Sequence, residues 1–415
     1  MSTGQQPLPR RAEHLNRLNR YRKLGHLAVA NHFNRMTADL AAQPKFPDIT
    51  QFLSRNFWPW IRDYLKYVFT PKYPFQAYPK DQTGVYEISN CTIAIAGDWG
   101  TGTDEAFRIG QLMGQPDLTI HLGDVYYVGD AAEIQENCLG QGANGFAGVQ
   151  WPHGSMGSFA LNGNHEMYAN GEPYFTVFLP TLGMNGQKQL ASFFCLEADQ
   201  WRILALDTGY NSVGVPVLSQ IPGLNQIGSI GGDCHLDDKL ISWLRTTIKP
   251  RPPKPTLLLA HHQYYSAFEG SYTKPAKQLA ELFGNQEFVW LWGHEHRFAV
   301  YNKFRKDGGI TAYGRCVGHG GMPVEMKDPD VSQAPLQYHD TRSHGLDDGS
   351  KVGQNGFVNA TIRGDTLTLD YRDIDNQSVL VESFTRTSGA NFSYKLVADP
   401  GILVKVGGIA AAVAE

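Results

Sequence analysis

Charge is scarce in this 415-residue chain: Asp, Glu, Lys and Arg make up 18% of it, against about 25% in an average soluble domain. The formal balance is −4 and the sequence pI about 6.4, so there is no general basic excess to track a nucleic-acid backbone. Cysteine is scarcer still. Cys91, Cys138, Cys195, Cys234 and Cys316 are far apart, odd in number and contain no CxxC pair, which argues against a zinc ribbon or a disulfide framework. No run reaches the ~18–20 apolar residues that span a bilayer. The most apolar stretch, Gly401 to Ala414, is shorter and carries Lys405. The opening residues, MSTGQQPLPRRAEHL, hold no apolar signal-peptide core, so a cytoplasmic protein is expected. No internal repeat or low-complexity tract stands out.

What is abundant is apolar content at 42%, with 44 glycines, 23 prolines and 14 histidines. That composition predicts a substantial core joined by many turns. At roughly 150 residues per domain the length suggests two to three domains, but the texture divides differently. Residues 1–88 read as a helical, aromatic-rich region. Leu15, Leu18, Tyr21 and Leu24 fall at helical spacing. Arg10, Arg11, Arg17, Arg20, Arg22 and Lys23 crowd the same stretch. Two uses compete for it: a basic helix meeting an anionic surface or a partner, or a docking helix with a solvated face. The aromatics Phe57, Trp58, Trp60, Tyr64, Tyr67, Phe69, Tyr73, Phe75 and Tyr78 are expected to pack this region onto the main domain.

Residues 89–390 form the expected main domain. Short apolar runs there end in polar turns: Thr92–Ala96 before Gly97-Asp98, Leu118–Leu122 before Gly123-Asp124, and Phe159–Leu161 before Asn162-Gly163-Asn164. Trp201–Leu206 precedes Asp207, Leu257–Ala260 precedes His261-His262, and Phe288–Leu291 precedes Trp292-Gly293-His294. Asp237–Ile248 has helical spacing. Alternating strands and helices imply an α/β sandwich, in which ligands collect past the carboxyl ends of strands. Phe357–Ile362 and Thr366–Tyr371 flank Gly364-Asp365 as a hairpin, with Ser378–Thr387 as a third strand. Residues 327–354 read as a long exposed loop and 391–415 as a C-terminal tail.

The residues past these strand ends are Asp98, Asp124, Tyr127, Asn164, His165, His261, His294 and His296. Mixed oxygen and nitrogen donors suit borderline cations such as Zn²⁺, Mn²⁺ or iron. One tetrahedral ion cannot use so many, whereas two ions sharing a carboxylate can.

In order and rough spacing, Gly97-Asp98-Trp99-Gly100, Gly123-Asp124-Val125-Tyr126-Tyr127, Gly163-Asn164-His165-Glu166, His261-His262 and Gly293-His294-Glu295-His296 resemble the calcineurin-like metallophosphoesterases. Gly100 stands where most members carry the histidine of Asp-x-His. With Tyr127 three residues after Asp124, this resembles the purple acid phosphatase branch. The resemblance covers about residues 90–385 and implies a sandwich of two mixed β-sheets flanked by helices, with the helical N-terminal region as an appendage. It implies two metal ions, iron with a second iron, zinc or manganese. Asp98, Tyr127 and His296 would hold one, Asn164, His261 and His294 the other, and Asp124 would bridge them. It also implies hydrolysis of phosphate monoesters by a metal-bound hydroxide, with His165 protonating the leaving oxygen. A phosphodiesterase or nucleotide hydrolase would use the same centre, and a non-catalytic scaffold is the third reading. The partner expected is a small phosphoester.

Some positions stay open. Tyr126 is the alternative inward phenol, with Tyr127 packed on the sheet. His262 is a candidate substrate contact, or the ligand in a shifted register. Glu166 is a candidate for orienting His165. His153 and His319 are candidate pocket residues. His121 is expected in the core, and Asp207 is expected to support the site or cap a turn.

Overall fold

A computed structural model describes residues 67, 70–142, 148–213, 233–345 and 351–406. The basic stretch and the leader aromatics Phe57, Trp58, Trp60, Tyr64 and Phe69 lie outside these residues. So do the last residues of the apolar tail. The later leader aromatics pack as expected: Tyr73 stacks on Phe175, Phe75 on Phe193, and Tyr78 meets Phe193 edge-on.

Two nine-stranded mixed sheets form the body. The first runs β1 (Val85–Glu87), β7 (Phe194–Glu197), β8 (Arg202–Ala205), β9 (Thr256–Ala260), β10 (Glu287–Trp292), β12 (Thr311–Val317), β11 (Phe298–Arg305), β13 (Leu336–His339) and β20 (Val404–Lys405). The second runs β19 (Asn391–Ala398), β18 (Ser378–Ser388), β17 (Thr366–Asp373), β16 (Gly356–Arg363), β2 (Cys91–Ala96), β3 (Leu118–His121), β4 (Gly157–Ala160), β5 (Gly183–Met184) and β6 (Gln187–Lys188). β14 (Ser343–Gly345) and β15 (Lys351–Gly353) form a separate small hairpin. Among the described residues no helix is long and apolar enough to cross a membrane.

Side-chain alternation explains the layering. Ile93, Ile95 and Ile120 from one sheet meet Ile203, Leu257, Val289 and Leu291 from the other in the central core. Small Ala94, Ala96 and Ala160 face outward and leave room for α1 (Asp104–Leu112) and α2 (Ala131–Asn137). The outer face of the first sheet packs on α4 (Asp238–Trp243) and α5 (Thr273–Phe283). A short α3 (Asn164–Met167) follows β4. Strands β2, β3 and β4 run parallel in one sheet, and β8, β9, β10 and β12 in the other. Both sets of carboxyl ends therefore deliver their turns to the same edge of the sandwich.

Two expectations need correction. The segment 327–354 is not simply an exposed loop, because Leu336 and Tyr338 are buried and β13 pairs with β11. The tail from 391 is not outside the domain either. Phe392, Tyr394 and Leu396 alternate toward the core, so Asn391–Ala398 extends the second sheet as its edge strand. Both are period-two patterns hidden among polar residues.

One buried ion pair ties the sheets together. Arg315 of β12 gives two 2.7 Å hydrogen bonds to Glu382 of β18, and the Tyr371 hydroxyl donates to the same carboxylate at 2.8 Å. Removing one partner of such a pair strands the other charge in the core, a cost of about 3–5 kcal/mol, whereas replacing both with apolar groups costs far less. Arg315→Met should therefore lower unfolding free energy by about that amount, and Arg315→Met/Glu382→Leu should recover much of it. Chemical denaturation of the three proteins tests this. A double variant no more stable than the single would show that the stranded charge is not the cause.

Candidate metal centre

The turns that carry the site adopt backbone conformations that ordinary residues avoid. Asp98 has φ 57°, Asp124 φ 74° and His294 φ 67°, in the left-handed region that is costly outside glycine and concentrated at functional sites. The glycines beside them serve partly another purpose. A Cβ on Gly163 would lie 2.0 Å from Asp124 Oδ1, and one on Gly293 would lie 2.5 Å from Asp98 Oδ2. The backbone must approach the carboxylates that closely, so no side chain fits.

Asp98 and Asp124 are 0% and 1% exposed. Asp98 Oδ1 accepts the Tyr126 hydroxyl at 2.7 Å and lies 3.4 Å from His296 Nε2, while Oδ2 accepts the His294 N–H at 2.8 Å. Asp124 faces both ways. Its Oδ1 lies 3.3 Å from His261 Nε2 and accepts the His165 N–H at 3.0 Å, while Oδ2 accepts the Tyr126 hydroxyl at 3.1 Å. His261 Nδ1 is 3.0 Å from the Leu122 carbonyl, which accepts a hydrogen bond from Nδ1–H, and Nε2 faces Asp124 and the Asn164 Oδ1, 3.1 Å away. Tyr168 accepts the other end of the Asn164 amide at 3.1 Å. His296 Nε2 is 2.9 Å from the Tyr126 hydroxyl.

Two groupings emerge with metal-ligand proximity. Asp98, Asp124 and His296 form one, and His261, His262 and His294 the other, each with its donor atoms within 4.8 Å of one another. Neither aspartate pairs with a lysine or arginine among the described residues. Buried carboxylates without cationic partners demand compensation, and the surrounding imidazoles, amide and phenol are donors that a borderline cation accepts. The residues present therefore fit a metal centre.

The electrostatics agree. Burial pushes His261 down, but Asp124 and then Asp98 outweigh it and raise its pKa to about 9. Burial pushes Asp124 up, but His261 and His165 hold it well below the usual carboxylate range. Burial and neighbouring His261 hold His294 low.

The phenol in this cluster belongs to Tyr126, where the GDxxY spacing points to Tyr127. Tyr127 instead gives its N–H to Glu133 Oε1 at 2.6 Å and offers its carbonyl to His165 Nδ1 at 2.6 Å, and its ring packs by Tyr126. Glu133 also accepts the Val128 N–H, and the Asn137 amide donates to the carbonyls of Gly100 and Tyr126. These contacts from α2 choose which of two neighbouring phenols turns inward. Gly100 leaves the space: a Cβ there would lie 2.9 Å from the Asp124 carbonyl oxygen.

Other sequence candidates sort clearly. His165 is buried beside Asp124, with Nε2 3.8 Å from Oδ2. Glu166 does not orient it. Its Oε2 accepts the N–H groups of Gly163 at 2.7 Å and Asp124 at 3.2 Å, clasping two ligand turns, and burial followed by Asp124 pushes its pKa to about 8. His262 is buried against His294. His153 is exposed and does not line the centre, since the adjoining Gly154 lies against Asp117 and Leu118, at the opposite end of β3. His319 is buried on the Phe298 ring and against Gly356, with burial lowering its pKa to about 4. Its backbone segment supports Gly97, but its ring does not join the cluster. His121 is a core histidine whose Nδ1 accepts the Gly123 N–H. Asp207 supports the site: it accepts from Ser192 and from the Tyr210 N–H, and the Asn162 amide nitrogen fits 2.7 Å from it. Tyr168, Thr208 and Glu133 escaped the sequence reading. Tyr168 alone left a signal, four residues after Asn164 on the same helical turn.

The sequence model of the calcineurin-like phosphoesterase family matches residues 91–298, a span containing both groupings. The chain belongs to that family and is a metal-dependent phosphoesterase. Among solved structures it is similar to a conserved uncharacterized protein, a predicted phosphoesterase, from Streptococcus pneumoniae TIGR4, at 14% identity over 72% of this chain and 99% of that one, with a TM-score of 0.27. No curated protein matches the chain.

Tyr168→Phe releases the Asn164 amide and should weaken metal binding by about 10–100-fold, as loss of ligand-orienting partners does. Metal titration of the stripped protein checks this, and unchanged affinity would remove Tyr168 from the centre. Gly163→Ala should abolish metal retention while the two sheets stay folded. Metal analysis after dialysis, with circular dichroism alongside, reads both.

Proposed function

We propose that this chain hydrolyses phosphate monoesters at a two-cation centre. Asp98, Tyr126 and His296 hold one ion, Asn164, His261 and His294 hold the other, and Asp124 lies between. One observation carries this reading: the two oxygens of a single buried carboxylate face different groups, Oδ2 toward Tyr126 at 3.1 Å and Oδ1 toward His261 at 3.3 Å. A phenol beside one position favours iron there, and the nitrogen-rich second position suits iron, zinc or manganese. This is the purple acid phosphatase-like reading, with the phenol moved by one residue.

Bound cations supply Lewis acidity at the phosphoryl oxygens and lower the pKa of a water. The chain's own groups do the rest. The strained turns hold the donors in place before substrate arrives, so little reorganisation is needed at the moment of reaction. As water adds to phosphorus, the bond to the leaving oxygen breaks and that oxygen needs a proton. His165 has Nδ1 committed to the Tyr127 carbonyl, so Nε2, 3.8 Å from Asp124 Oδ2, is the ring position for holding and passing that proton. The buried surroundings exclude competing solvent and strengthen each of these interactions.

The direct test is a panel of monoesters, diesters, nucleotides and phosphoproteins against the wild-type chain, Asn164→Ala and His165→Ala. Monoesters should be the preferred substrates, and His165→Ala should reduce kcat by about 10²–10⁴-fold. Full activity in both variants would sink the assignment, and a preference for diesters would replace it with the diesterase reading. In oxidised, iron-loaded protein, Tyr126→Phe should abolish the visible phenolate-to-iron band, while Tyr127→Phe retains it. The opposite pattern would return Tyr127 to the centre.

A further inference from the structure

We propose that His262 is a third imidazole donor at the His261–His294 position, giving this chain a metal site richer in nitrogen than its motifs imply. The inference rests on the two-cation reading above and deepens it. The adjacent pair His261-His262 supplies it. Successive residues of a regular strand point to opposite faces, which would send one of the two away from the site. Here β9 ends at Ala260, and beyond it both rings turn to the same place. The His262 ring centroid lies 4.9 Å from that of His261 and 4.5 Å from that of His294. One donor nitrogen from each of the three lies within 4.8 Å of the other two. His262 is 2% exposed, so it is not a surface histidine that happens to lie nearby.

Thr208 makes the ring a suitable donor. Its Oγ1 accepts the His262 backbone N–H at 3.0 Å and lies 3.2 Å from His262 Nδ1. A hydroxyl oxygen has two lone pairs. When Nδ1–H donates to the second, Nε2 keeps its own lone pair, which is the arrangement that orients metal-bound imidazoles elsewhere. Thr208 is itself held: it follows the anchored Asp207, and its carbonyl accepts from the Cys234 thiol at 3.4 Å. Tyr272 closes the other side of the ring at 4.9 Å. Three imidazoles favour a borderline ion such as Zn²⁺ or Co²⁺ over Mg²⁺.

The test titrates Co²⁺ into the metal-free full-length protein and follows its visible absorption, with affinities measured by competition against a chromophoric chelator. His262→Ala and His262→Asn should each weaken one Co²⁺ equivalent by at least about tenfold and change its spectrum, with the other equivalent unaffected. Thr208→Val should weaken the same equivalent by about 10-fold, as loss of an orienting hydrogen bond does. Circular dichroism melting of the metal-free variants confirms that they are folded, and the two substitutions at 262 guard against one of them failing to fold. Wild-type Co²⁺ affinity and spectrum in the folded His262 variants would overturn the inference. If those variants only weaken inhibition by inorganic phosphate, His262 is a substrate contact and the ligand assignment falls. His261→Ala separates the two levels. If it alters Co²⁺ binding while the His262 variants do not, only this inference fails. If it too has no effect, the two-cation reading fails with it.

Discussion

Two carboxylates, Asp98 and Asp124, are almost wholly removed from water, and among the described residues no lysine or arginine meets them. Much else at this edge of the molecule answers that constraint. A bare carboxylate in such surroundings is too costly to keep, so the fold surrounds the pair with backbone N–H donors, a phenol and imidazoles. Those imidazoles and that phenol are donors that a borderline cation accepts. The strained turns at Asp98, Asp124 and His294 and the bare glycines beside them let the donors come this close.

The sandwich makes this arrangement affordable. Parallel strands from both sheets end at one edge, so donors far apart in the chain converge at the strand ends. Behind them the sheets are joined by a shared apolar core and by the Arg315–Glu382 pair. Support also comes from groups that touch no ligand atom of the proposed ions. Glu133 and Asn137 on α2 set the Tyr126 turn, and Glu166 clasps the Asp124 and Gly163 turns. Displacing Asn137 or Glu166 would shift several donors together, because each spans two turns.

Most strands and the polar turns of the candidate centre were legible because most of these apolar runs stop at a glycine-flanked polar residue. The hairpin at Gly364 and the strand from Ser378 read equally well. Leu336–His339 and Asn391–Ala398 did not, because edge strands alternate apolar with polar residues and resemble loops in composition. His153 was misplaced for another reason. Its loop precedes β4 and lies at the amino end of the parallel strands, while the centre lies past their carboxyl ends. Closeness in sequence to Gly163-Asn164 carried no information about which end of the sheet it occupied.

Local order in the chain therefore settled the kind of site, its donor types and the strands that present them, since hydrophobic periodicity and turn glycines act over a few residues. Three choices waited for the packed structure. The first is which of Tyr126 and Tyr127 faces inward. The second is that Glu166 braces backbone rather than His165. The third is that His262 joins His294 instead of turning away. Each depends on a tertiary contact that residue order does not reveal: Glu133 and Asn137 on α2 for the first, the Asp124 turn for the second, and Thr208 after β8 for the third. Adjacent residues have equal access to a site in sequence, and only the partners waiting in three dimensions distinguish them.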